Sequence, residues 1–202
     1  MAGGTRLLTG ADGQRYSFDP GSFSLELLLT GGPGGYARHE ILHMPTDLAA
    51  WLPDSRLAAV APLPVESLRI KPAELRAIKE FRDTLWSVAT ALARGKCPSA
   101  EEFEVLNDSA VPGPRPRVEP TSGRREWAIP VTGAQILGAA AREAIDMVTG
   151  DLRDRIRECA ASDCYLIFVD TSRPGRRRWC SMERCGNRNK VHAYRTRQIQ
   201  PD

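Results

Sequence analysis

A mainly α-helical N-terminal domain, with an α+β arrangement as its alternative, followed by a small treble-clef-like or zinc-ribbon-like finger, is the fold class this sequence predicts. Three observations lead there. Apolar residues recur every three or four positions over 71–94 and again over 133–149, the spacing of helices that bury one face. Two cysteine pairs, Cys159 with Cys164 and Cys180 with Cys185, each enclose four residues and stand one hairpin apart, so four thiolates can surround one tetrahedral ion. No apolar run approaches the ~20 residues that cross a bilayer. With 42% hydrophobic and 26% charged residues over 202 positions, the chain has the balance of a globular protein and room for one medium and one small domain.

In chain order, the first twenty residues read as turn-rich, through Asp12-Gly13 and Asp19-Pro20. The apolar segment Phe23–Leu29 belongs to the core but is too short for periodicity to decide between strand and helix. Gly31-Gly32-Pro33-Gly34-Gly35 is a loop without the Gly-Lys-Ser/Thr ending of a phosphate-binding loop. Then comes His39-Glu40-Ile41-Leu42-His43, a literal match to the metallopeptidase pattern. That pattern works only where one helix face carries both imidazoles, and here a glycine-rich loop precedes it and Pro45 follows. Thr46-Asp47 can cap a short helix through Trp51 that Pro53 ends.

The strongest helix is 71–94: Pro72 suits its first turn, Gly95 terminates it, and Leu75, Ile78, Phe81, Leu85, Val88 and Leu92 form its buried stripe. Ser99 with Glu102 is a capping box for a second helix bearing Phe103 and Leu106. Residues 111–126, rich in Pro, Gly and Arg, read as a solvated loop. After Trp127–Val131, Thr132 caps a helix over 133–149 that Gly150 closes. A charged bridge follows, placing the boundary between a domain over 1–150 and a finger over 151–202.

Within the finger, Tyr165–Val169 is a β-branched and aromatic run, and Arg176–Cys180 returns from the Pro174-Gly175 turn, which predicts a hairpin between the cysteine pairs. From Gly186 onward the chain is free of proline, Val191, Tyr194 and Gln198 share a helical face, and a thiolate at that helix start suits Cys185 as fourth ligand. The expected ion is a structural zinc. Disulfides would need an oxidising compartment, and the first residues carry no signal-peptide-like apolar stretch, so the cytoplasm is the expected location. Cys97 lies far from the cluster and reads as a small packing residue.

The run Trp179–Arg195, with Cys185-Gly186-Asn187-Arg188 at its centre, resembles the CGNR zinc finger. The segment Glu40–Leu52, leading into a short Trp-bearing helix, is similar to part of the ABATE domain that precedes that finger in the same family. One departure stands out: Thr30-Gly31-Gly32 occupies the place where the family often has an Asn-Thr pair. The resemblance implies a helical start at Phe23–Leu29 and a transcription regulator whose N-terminal domain is regulatory.

Charge distribution points the same way. Between Arg173 and Arg197 nine Lys or Arg face one acid, Glu183, while the rest of the chain is net acidic. Such a concentration fits a polyanion, and duplex DNA is the expected partner, with Arg176, Arg177, Arg178, Arg184, Asn187, Arg188, Lys190, Arg195 and Arg197 as candidate contacts. Arg and Asn also match purine edges. The alternatives are a zinc-finger protein-interaction module meeting an acidic partner without DNA, and a metallopeptidase built on His39, Glu40 and His43. A homodimer would enlarge the footprint of a single finger, and a small effector suits a regulatory domain; a membrane partner is not expected.

Overall fold

A computed structural model describes residues 4–10 and 13–191. Its centre is the long helix α4. Six α-helices occur among the described residues before the finger: α1 (Phe23–Leu27), α2 (Pro45–Trp51), α3 (Arg56–Val60), α4 (Pro72–Ala93), α5 (Ala100–Ser109) and α6 (Gly133–Thr149). The predicted stripe on α4 is the buried face: Leu75, Ile78, Phe81, Leu85 and Val88 are each within 5% of full burial, and α5 and α6 pack against them. Each such side chain is worth about 1.5–3 kcal/mol relative to exposure, so this stripe carries a large share of the fold. On α6 the small residues Ala140, Ala141 and Ala144 are fully buried and let neighbouring backbone approach. At Gly138 a Cβ would stand 2.2 Å from the Val111 carbonyl oxygen, so glycine is needed there.

The caps follow the expected chemistry. Ser99 Oγ accepts from the Glu102 N–H at 3.2 Å and Thr132 Oγ1 from the Gln135 N–H at 3.3 Å, and the Glu102 and Gln135 side chains accept from the cap N–H in return. For α2 the helix starts at Pro45. Asp47 Oδ2 reaches back from its first turn to accept from the His43 and Met44 N–H groups, both at 2.8 Å. Phe23–Leu27 is helical, its start fixed by Ser22 Oγ accepting from the Leu25 N–H.

Among the described residues, four two-stranded sheets surround this core. The N-terminal stretch, expected to be turns, is a hairpin of β1 (Arg6–Thr9) and β2 (Arg15–Phe18), with Tyr16 and Phe18 buried and Arg15 and Ser17 outside. β3 (Leu68–Arg69) pairs in parallel with β6 (Val131–Thr132). The expected loop over 111–126 instead contains an exposed hairpin strand, β4 (Pro116–Val118), paired with β5 (Arg125–Trp127). Its polar strands bury almost nothing except Trp127, whose Nε1–H donates to the Ala61 carbonyl at 2.9 Å, so no hydrophobic pattern marked it.

The finger hairpin also differs from expectation. β8 (Ile167–Val169) pairs antiparallel with β7 (Ile156–Glu158), residues read as part of a charged bridge, while 176–180 form no strand. Arg157 and Glu158 are only half-buried, which hid the strand's inward position at Ile156. Ile156, Ile167 and Val169 join the helical core, whereas Phe168 and Leu166 join a second cluster with Tyr16, Phe18, Leu29, Tyr36 and the four cysteines.

Candidate metal centre

The first cysteine pair sits in the turn of the β7–β8 hairpin. Cys159 directly follows β7, its N–H donates to the Leu166 carbonyl at 2.9 Å, and the Cys164 N–H donates to Ala161 at 3.0 Å, which folds the intervening residues into a knuckle. The second pair brackets a wider turn. Met182–Gly186 make one π-helical turn that leads into helical residues 187–191, so Cys185 lies at a helix start. Between the pairs, Asp170 shapes the loop: its carboxylate accepts from the Ser172 N–H, the Ser172 hydroxyl and the Arg177 N–H. Sequence reading passed over Asp170, although an Asp two residues before Ser172 ahead of Pro174-Gly175 is an Asx-turn signal.

All four cysteines are buried and their sulfurs lie within 4.8 Å of one another. Cys164 and Cys180 sulfurs are 3.7 Å apart, Cys180 and Cys185 sulfurs 3.5 Å. A disulfide would bring sulfurs to about 2.05 Å. Sulfurs bound at about 2.3 Å to one tetrahedral zinc stand about 3.8 Å apart, which the cluster matches. The thiols also oppose one another: hydrogen bonds from Cys164 and Cys180 hold the Cys159 thiol down, while bonding to Cys159 pushes Cys164 and Cys180 up and burial raises Cys185. Four thiolates in this space therefore require a cation. Two donors help to stabilise them, the Cys180 N–H 3.4 Å from Cys159 Sγ and Arg188 Nη2 3.7 Å from Cys185 Sγ.

The remaining predicted residues separate into two groups. Arg176, Arg178, Asn187 and Lys190 are exposed, and Arg176 and Arg178 border a groove of about 710 Å³ beside the second knuckle. Arg177 turns inward: it donates to the carbonyls of Trp179, Cys180 and Asp19 and lies 4.0 Å above the Phe168 ring. Arg184 lies 5.0 Å above the Tyr16 ring, and Arg188 pairs with Asp163. Asn189 Nδ2 donates to the Cys185 carbonyl at 2.9 Å, a tie at the knuckle that sequence reading did not single out. Arg195 and Arg197, with Tyr194 and Gln198, lie outside the described residues. Cys97 is exposed and so is not a packing residue; it follows the end of α4, away from the cluster.

The His39–His43 match is not helical. A 3-10 turn, Gly34–His39, ends as Glu40 takes an extended backbone. Glu40 is instead the partner of Arg82, a guanidinium 1% exposed on the buried side of α4: Nη1 and Nη2 donate to its two oxygens at 3.2 and 2.9 Å, with Lys79 Nζ at 3.2 Å. Among the described residues the group able to hold a metal ion is the four cysteines.

A hairpin with the first knuckle at its turn, a loop, a second knuckle and a helix start define a four-cysteine zinc finger mounted on a helical domain. Residues 155–198 match the CGNR zinc finger, and residues 21–151 match ABATE, described as "Putative stress-induced transcription regulator". The chain belongs to the ABATE family, with the CGNR finger following that domain, and the finger's metal is zinc. A comparison with curated proteins finds no match.

Proposed function

We propose that this chain is a DNA-binding transcription regulator in which the finger over 151–202 meets duplex DNA and the domain over 1–150 regulates it, working in the reducing cytoplasm. The observation that carries the reading is the set of exposed cations on a rigid zinc mount. Arg173, Arg176 and Arg178 line the loop before the second knuckle, and Lys190 with Asn187 lies on the helical turn after it. Side chains already committed to the fold, above all Arg177, serve as braces in this reading rather than as contacts.

Binding through phosphates releases counterions, about 0.9 per contact, so the double variant Arg176→Ala/Arg178→Ala is expected to flatten the slope of log K against log salt by up to about 1.8, alike for every sequence. Arg177→Ala should lower the melting temperature of the finger instead. Asn187→Ala, if its amide reaches a base edge, should cost about 1–3 kcal/mol at preferred sites only. Titration of the zinc-loaded chain with labelled duplex from low to physiological salt measures the first and third, and thermal unfolding measures the second. No affinity for duplex at low salt would replace this reading by that of a protein-interaction module.

A further inference from the structure

The cleft between β1, β2, the 3-10 turn Gly34–His39 and the first zinc knuckle encloses about 590 Å³, a size suited to a small molecule. Leu8, Leu29 and Leu166 give it apolar walls. Two tyrosines line it, and they are the unusual feature. Tyr16 and Tyr36 are 5% and 9% exposed, yet neither hydroxyl makes a hydrogen bond with any described residue. Both rings are fixed: Tyr36 stacks on Trp86 and His39 with centroids 4.7 and 4.6 Å apart, and Tyr16 lies under Arg184. Neither hydroxyl is among the fully buried polar atoms without a partner, so both keep contact with solvent, and both rigid residues line the same cavity, where a ligand can meet their O–H groups.

The charges facing the cleft are mixed, with the thiolates of the zinc cluster near both phenols and cations around them. Its two carboxylates are committed, Glu40 to Arg82 and Lys79 and Asp163 to Arg188. Arg38 supplies positive charge at the rim. Burial first, then the guanidinium groups of Arg38 and Arg184, push the His39 imidazole below its ordinary pKa. Arg38 spends its Nε–H on His39 Nε2 at 3.1 Å, which leaves both terminal nitrogens as donors. At the mouth stand Leu7 and Ile41, large apolar side chains about half exposed.

We propose that this cleft binds a small organic monocarboxylate, its carboxylate accepting from the Tyr16 and Tyr36 hydroxyls and from Arg38 while its apolar body lies against Leu7, Leu8 and Ile41. Inorganic phosphate fits less well, since it carries more charge than the donors offset and has no apolar body for the mouth. Cys164 and Tyr165 form part of the same lining, so the ligand touches the zinc knuckle itself. The site stands whether or not the finger binds DNA.

Calorimetric titration of the zinc-loaded full chain with benzoate and with hexanoate tests it. Saturable binding by at least one of them is expected at about millimolar Kd or tighter. Arg38→Ala and Tyr36→Phe should each weaken it about tenfold, the loss of one hydrogen bond to a charged group, with zinc content and the ligand-free melting temperature unchanged. No heat of binding from either carboxylate up to about 10 mM would overturn the proposal. So would binding that both variants leave intact, or binding of inorganic phosphate in preference to both carboxylates.

Discussion

Cys185→Ser is expected to release the zinc and to unfold more of the chain than the finger alone. Structural zinc in fingers is worth on the order of 10 kcal/mol or more, beyond what the short finger could recover by apolar burial. The cysteines share a cluster with Tyr16 and Phe18 of β2, Leu29 and Tyr36, so loss of the metal removes one wall from the β1–β2 hairpin. Amide exchange should therefore accelerate throughout β1 and β2 as well as in 156–191. The stripe on α4 and its contacts with α5 and α6 lie in the other cluster and should keep their protection. Zinc stoichiometry measured alongside exchange checks both halves; a Cys185→Ser protein that retains one zinc per chain would sink the four-thiolate site.

Glu40→Ala should destabilise the whole domain by about 3 kcal/mol at neutral pH without changing zinc content. Removing one partner of a buried ion pair typically costs about 3–5 kcal/mol, because the other charge stays buried. Here the cost falls toward the lower end, since Asp83 and Thr30 still accept from Arg82. The pair has a pH signature. Burial alone would raise the Glu40 carboxyl, but hydrogen bonds from Arg82, the Leu42 N–H and Lys79, with the charge of Arg82, outweigh it and hold it at about 2 against an ordinary 4.5. A depressed carboxylate stabilises fully above 4.5 and loses its contribution as pH falls through 2. Urea unfolding of wild type and variant should thus differ most above pH 5 and converge on acidification. A variant as stable as wild type that instead lost a zinc-dependent peptide cleavage would restore the metallopeptidase reading of His39-Glu40-x-x-His43.

How much of this was legible in the sequence varied with the kind of signal. α4, α5 and α6 were, to within a residue or two, because each joins a long apolar period to a capping side chain, as at Ser99 and Thr132. The gathering of the four cysteines was legible for a similar reason, since their spacing alone closes the geometry. The short strands were not. β2 offers only Tyr16 and Phe18 as an alternating pair, β4 buries nothing, and β7 shows one inward residue amid Arg and Glu. Their pairing is decided by distant partners that no local window contains. Charge was legible as a total and not as a distribution: Arg177 and Arg176 are neighbours in the chain, yet one stacks on Phe168 and the other faces solvent. Arg82 gave no warning at all, because nothing local distinguishes an arginine that meets Glu40 from one that meets water.

β8 is a partition with two occupied sides. Ile167 and Val169 face the helical core, Phe168 faces the zinc cluster, and the Val169 N–H is held by the Pro20 carbonyl at 2.9 Å. A zinc finger is often treated as a portable cassette, to be cut at its sequence boundaries and joined to another protein. Cut from this chain at residue 155, the finger would carry Ile156, Ile167 and Val169 as a bare apolar face, while the helical domain left behind would open its core along the same line. Any recombinant or evolutionary exchange of the finger must therefore carry along, or reinvent, the surface on which it rests, so the two segments are expected to change together rather than to travel apart.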